Sequence, residues 1–192
     1  VPTEFGYAPK KDYFCQLLNE IHQLNHQDLP DWEVIEFDPL LDSANVAVEE
    51  WNAIGEVISA RYKEFDGFVV LHGTDTMSYT ASALSFMLEG LDKPVVFTGA
   101  QIPLCELRSD GRDNLVNSII IAAEGTVREV CVYFADRLIR ANRSTKISSE
   151  DLTAFDSPNY PDLANVGIDI KYNKAALVMP SKPKTFRLTK FT

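Results

Sequence analysis

The sequence is short of the residues that usually announce a crosslink, a metal or a nucleotide. Its three cysteines, Cys15, Cys105 and Cys131, form neither a disulfide framework nor a CxxC metal pattern, and they read as free thiols in a reducing, cytoplasmic setting. Of three histidines, His22 and His26 stand at helical spacing, but no third ligand lies near them and they belong to a solvated face; no metal site is expected. Positive charge is scarce. A net charge of −10 with no basic stripe removes the electrostatic drive toward nucleic acid. No apolar run is long enough to span a bilayer, so no membrane partner is expected. Neither GxGxxG nor GxxxxGK[ST] occurs, which sets aside the common nucleotide-binding loops, and no cofactor is expected. No internal repeat is visible.

What is present has ordinary globular composition, 45% apolar and 24% charged, over a length suited to one α/β domain. The chain opens on Val1-Pro2-Thr3 without an initiator methionine or signal-peptide regions. It closes on the Pro- and Lys-rich stretch Ser181-Lys182-Pro183-Lys184-Thr185-Phe186. Both ends are expected to be interruptions of a longer polypeptide, with a domain over 1–180 and a linker over 181–192.

Periodicity places a helix over 12–27, where Phe14, Leu17, Leu18, Ile21 and Leu24 share one face. A short strand is expected over 33–37, and a second helix carries Val48, Trp51, Ile54, Val57 and Ile58. The run Gly67-Phe68-Val69-Val70-Leu71 has the continuous apolar character of a strand buried on both faces of a parallel sheet. Strands over 94–97 and 129–134 follow, separated by helices carrying Ala81, Leu84 and Met87, then Leu115, Ile119 and Ala122. Two further short strands, 167–172 and 175–179, could pair with each other. The alternation predicts an open, mostly parallel sheet with helices on both faces, and such sheets bind ligands at the carboxyl ends of their strands.

The densest chemistry is His72-Gly73-Thr74-Asp75-Thr76-Met77, which packs two hydroxyls and a carboxylate into a strand-to-helix turn. One helix needs one capping side chain, so three capping-type residues in a row exceed that requirement. Lys146, in Arg143-Ser144-Thr145-Lys146, would taken alone be a solvated surface lysine. Beside a hydroxyl in a desolvated site, a lysine can shed its proton near neutrality and act as a base.

These residues, with Thr98-Gly99-Ala100-Gln101, Arg108-Ser109-Asp110-Gly111, Asn114 and Asn142-Arg143, resemble the bacterial-type L-asparaginases, the cytoplasmic type I branch most closely, over nearly the whole chain. The resemblance implies the flavodoxin-like amino-terminal domain of that family. It also implies hydrolysis of the side-chain amide of L-asparagine to aspartate and ammonia through a threonine acyl-enzyme, and a homo-dimer or homo-tetramer at full length. Thr74 resembles the second catalytic threonine, which polarises the attacked carbonyl or activates water. Lys146 resembles its base, and Asp75 the carboxylate that grips the substrate ammonium. Ser43 resembles the residue that bonds the substrate α-carboxylate; the same resemblance adds Asp42, Gly73 and Ala100 to the substrate-binding set. Tyr7, in Gly6-Tyr7-Ala8-Pro9, resembles the lid tyrosine that orients the nucleophile.

Two departures accompany this. Ala44 and Asn45 stand where relatives carry Ser or Gln and then Asp, and the Gly-Gly-Thr-Ile motif that carries the primary nucleophile occurs nowhere in the sequence. The expected domain therefore lacks its first strand, and the 192 residues alone are expected to be inactive. Two other functions fit the same residues: the asparaginase-like subunit of a tRNA-dependent amidotransferase, and a non-catalytic amino-acid-binding module.

Overall fold

The computed structural model describes residues 2–3, 6–7, 13–38, 43–178 and 185–192. Six strands form one open sheet whose spatial order follows the chain: β1 (Phe68–Leu71), β2 (Val95–Thr98), β3 (Val130–Phe134), β4 (Arg137–Arg140), β5 (Ala164–Val166) and β6 (Ile170–Tyr172). Strands β1, β2 and β3 are mutually parallel, and β4 to β6 extend the sheet antiparallel. The open α/β architecture expected from the sequence is the one observed.

Side-chain alternation along the strands divides the core into two layers. Val95, Phe97, Val130 and Val132 meet helices α2 (Val48–Arg61) and α3 (Met77–Met87) on one face. Val96, Cys131 and Tyr133 meet Ile121 and Ala122 of α4 (Gly111–Glu124) on the other. The crossovers β1–α3–β2 and β2–α4–β3 step in the same direction across the sheet, yet their helices lie on opposite faces. One of the two is therefore left-handed, against the usual right-handed rule.

Local chemistry sets the turns. Helix α4 ends on Gly125, whose φ of 63° is the left-handed conformation that closes a helix without a Cβ penalty. The β3–β4 hairpin turns through Ala135 and Asp136, both at positive φ (46° and 63°), the twist that suits a two-residue hairpin.

Four expectations are corrected. The helix over 12–27 is α1 (Tyr13–Glu20) followed by a 3-10 turn, His22–Asn25, because Ile21 is extended (φ −85°, ψ 99°); the break keeps Leu18, Ile21 and Leu24 together against Leu115. Residues 33–37 pair with no strand among the described residues, since a cleft separates them from β1. For the same reason β1 is not buried on both sides: Phe68, Val69 and Val70 are half-buried and Leu71 is 42% exposed. The late pair is 164–166 with 170–172 rather than 167–172 with 175–179; residues 174–176 form a turn, and Met179 lies outside the described residues.

At the end of the chain, Arg187–Leu188 pairs antiparallel with Leu88–Glu89, and the Phe186 ring stacks on Tyr62 with centroids 3.7 Å apart. Leu188 lies against Gly55, where an added Cβ would come within 2.7 Å of its Cδ1.

Candidate active site

The site is built at the carboxyl ends of β1 and β2. Strand β1 delivers His72 and Gly73 into the turn that carries Thr74 and Asp75 before α3 starts at Met77. Across from it, β4 leads through a 3-10 turn, Ala141–Arg143, into the short strand Thr145–Lys146, which pairs with Phe155–Asp156. That pairing aims the Lys146 side chain back at the β1 turn: Nζ donates to Thr74 Oγ1 at 2.8 Å and to Asp75 Oδ1 at 2.7 Å. Lys146 is mostly buried, at 19% side-chain exposure, whereas Asp75 is 72% exposed. An ammonium fixed from below and a carboxylate open to solvent can hold a polarised hydroxyl and a cationic ligand at once.

None of the three residues spent on this turn caps α3. Thr76 stands at the cap position but makes no side-chain cap bond; its Oγ1 donates instead to the Ser43 carbonyl at 2.6 Å. The hydroxyl of Thr74 donates to Gln101 Oε1 at 3.0 Å, and Gln101 Nε2 donates to the Asp151 carbonyl at 3.1 Å. Gln101 was not among the expected site residues. Its place in Thr98-Gly99-Ala100-Gln101, on the loop after β2, was the available signal.

The loop after β2 is fastened by Asp110 and Asn114. The Asp110 carboxylate accepts the Gln101 amide at 3.1 Å and the Ile102 amide at 2.9 Å. Asn114 Nδ2 donates to the Gly99 carbonyl at 3.0 Å, and its Oδ1 accepts the Ala135 amide at 3.2 Å. One buried amide thus ties the loops after β2 and β3 to the first turn of α4.

Ser43 and Gly73 touch: an added Cβ at Gly73 would lie 2.2 Å from Ser43 Oγ, so no side chain fits there unless Ser43 moves. Beside them His72 is half-buried. Its Nδ1 lies 2.7 Å from the Gly73 carbonyl, its Nε2 has no partner, and burial holds its pKa below the ordinary imidazole value. Ala100 sits next to Gln101, its Cβ 2.9 Å from an added Cβ at Gly111. The fold therefore brings Thr74, Asp75 and Lys146 into contact and sets Ser43 against Gly73. Tyr7 lies on a two-residue strand, Gly6–Tyr7, that pairs with Pro2–Thr3, and its side chain lies outside the described residues, as does Asp42. Among the described residues no cluster of His, Cys, Asp and Glu could hold a metal, and no helix is long and apolar enough to cross a membrane.

Fold and site together define an α/β protein with a hydroxyl, amine and carboxylate centre on the rim of its parallel strands. The family described as "Asparaginase, N-terminal" matches residues 4–178, and the chain belongs to that family. It is 48% identical over 169 residues to L-asparaginase 1 of Escherichia coli strain K12, covering 88% of this chain and 50% of that protein. The crystal structure of L-asparaginase I from Vibrio cholerae superposes with a TM-score of 0.88 at 42% identity, covering 96% of this chain and 56% of that one. A probable cytoplasmic L-asparaginase from Campylobacter jejuni gives 0.74 at 32% identity, covering 85% and 52%. The chain spans about half the length of these relatives.

Proposed function

We propose that the 192 residues are the substrate-reading and proton-handling part of a cytoplasmic enzyme that hydrolyses the side-chain amide of L-asparagine to aspartate and ammonia. Residues 1–180 form its amino-terminal domain, and 181–192 lead toward a carboxyl-terminal one. The observation that carries the reading is the convergence of Lys146 on Thr74 and Asp75, 2.8 and 2.7 Å away, across about seventy positions of chain.

In this reading Thr74 is the second threonine, acting on the attacked carbonyl or on water. Lys146 moves its proton, and Gln101 holds the hydroxyl in line. The primary nucleophile belongs to a Gly-Gly-Thr-Ile motif, which these 192 residues do not contain. Asp75 reads the α-ammonium. Ser43, with Gly73, Asp42 and Ala100 around it, reads the α-carboxylate, and Tyr7 orients the nucleophile. Backbone N–H groups of the strand-to-helix turns hold the oxyanion, a contribution of about 3–4 kcal/mol per donor. The full-length enzyme works as a homo-oligomer.

Ammonia release by the full-length protein, set beside calorimetry with asparagine and aspartate, tests this reading. Turnover of asparagine is expected; binding of the amino acids without turnover would instead make the protein a sensor.

A further inference from the structure

Residues 186–191 lie along α2 as a strap. Phe186 stacks on Tyr62 at the carboxyl end of the helix, Leu188 enters against Gly55, and the Phe191 ring meets Trp51 edge-on with centroids 6.2 Å apart. At about 100° per residue, positions 51, 55 and 62 fall within about 40° of one another, so the strap follows one face of the helix and runs antiparallel to it. From 51 to 62 a helix rises about 16 Å, and five extended steps from 186 to 191 cover about the same distance, so the three anchors keep register without slack.

The two ends of the strap are tied to different parts of the fold. At the Phe191 end, Asn52 Nδ2 donates to the Phe191 carbonyl at 2.9 Å and Asn52 Oδ1 accepts the Phe191 amide at 3.1 Å. One side chain thus holds both backbone groups of Phe191 and keeps its ring against Trp51. Trp51 Nε1 in turn donates to Thr80 Oγ1 at 3.2 Å, a fully buried hydroxyl of α3. One turn back, the Thr80 amide donates to the Thr76 carbonyl at 3.0 Å, and Thr76 Oγ1 donates to the Ser43 carbonyl at 2.6 Å. A continuous chain of contacts therefore runs from Phe191 to Ser43. Phe186 leads elsewhere: the Tyr62 hydroxyl accepts the Asp92 amide at 2.9 Å and the Tyr62 carbonyl accepts Lys93 Nζ at 2.7 Å, in the turn before β2 and at the opposite end of the sheet from Ser43.

We infer that Phe191 and Asn52 are positioning residues for the Ser43 turn, acting through Trp51 from outside the site. Helix α2 begins at Val48, shortly after Ser43, so the seat of its first turns sets the turn that precedes them. Trp51 fixes that seat relative to α3, and Thr76 of the turn entering α3 holds the Ser43 carbonyl. Without the Phe191 ring the indole gains rotamer freedom, its bond to Thr80 weakens, and the contact of Ser43 with Gly73 loosens. The effect falls on binding rather than on proton transfer, because Lys146 reaches Thr74 from the pairing of Thr145–Lys146 with Phe155–Asp156. Its appearance in substrate affinity rests on the proposed function of Ser43; the mechanical link does not.

The test compares the two ends of the strap in the full-length protein. Phe191→Ala removes the ring; Phe191→Leu keeps apolar bulk and serves should the alanine variant fold poorly; Phe186→Ala removes the matching ring at the other end. Backbone hydrogen exchange is followed at the Trp51 and Thr80 amides, beside KM and kcat for asparagine. In both Phe191 variants exchange at those amides is expected to speed by about 10-fold. Their KM is expected to rise about 3- to 10-fold with kcat within about twofold of the parent, and Phe191→Tyr, which restores the ring, to return both readouts to parental values. Phe186→Ala is expected to lower the melting temperature while leaving KM and both amides at parental values. Should the parent turn over no asparagine, the amidase reading fails and the exchange contrast alone decides this one. Equal shifts from the two ends, no shift in the Phe191 variants, or faster exchange at an unmoved KM in an active enzyme overturns the inference.

Discussion

At the residue scale one carboxylate, that of Asp75, faces both Lys146 and solvent. Lys146 is held inside and Asp75 is left open, so the Asp75 carboxylate can meet an incoming ammonium while still fixing the lysine. Asp75→Asn keeps the size and removes the charge. Its expected effect is a KM for asparagine raised about 10- to 100-fold, from a charged hydrogen bond worth about 1.5–3 kcal/mol, read from steady-state kinetics. Gly73→Ala would drive a Cβ into Ser43, and it is expected to raise KM while leaving the melting temperature within a few degrees.

His72 carries a pH signature. Its folded pKa is depressed by burial, so the native state holds the neutral ring. The unfolded chain takes up its proton near pH 6.5, and below that value protonation favours unfolding. Stability is therefore expected to fall between about pH 6.5 and the lower folded value, with a slope of at most about 1.4 kcal/mol per pH unit. Urea unfolding at a series of pH values from 7.5 to 5 measures it, and His72→Gln should flatten the curve. The His72–Thr76 run was readable because its polar residues are consecutive. Lys146 and Gln101 were not readable from local pattern: one is an ordinary lysine until the fold folds it back, and the other a single amide in a loop.

At the scale of elements, the parallel strands were legible because each is an apolar run; Val95–Thr98 and Val130–Phe134 are buried at every position, while Phe68, Val69 and Val70, on the cleft, are only half-buried. Strands β4 to β6 were not. They mix Arg137, Arg140, Asn165 and Lys171 among their apolar residues, and their pairing is set by the Ala135–Asp136 turn and by Arg137 reaching Asp156 and Asp162. The extended segment 31–37 forms the far wall of the cleft beside β1. It has no ladder because ladders require a neighbour.

Asn114 is the element-scale fastening, since it joins α4 to the Gly99 and Ala135 backbones. Asn114→Ala leaves buried groups unpaired and is expected to cost about 1–3 kcal/mol for each, seen as a lowered urea midpoint at unchanged m-value. Leu84, a fully buried residue of α3, offers a contrast: Leu84→Ala is expected to cost about 2–5 kcal/mol through its cavity without altering KM.

At the scale of the whole molecule, the Thr74–Lys146 contact and the cleft beside β1 meet at one place, the carboxyl end of β1. The cleft reaches Ser43 and Gly73, and the Thr74–Lys146 pair begins one residue further on. The most direct test is kcat for asparagine hydrolysis by full-length protein carrying Thr74→Val, Lys146→Met, or both. If the two side chains act as one unit, each single change lowers kcat by about 10²- to 10⁴-fold, and the pair costs little more than either alone. Single variants within a few-fold of the parent, or losses that simply multiply, would contradict a shared role for Thr74 and Lys146.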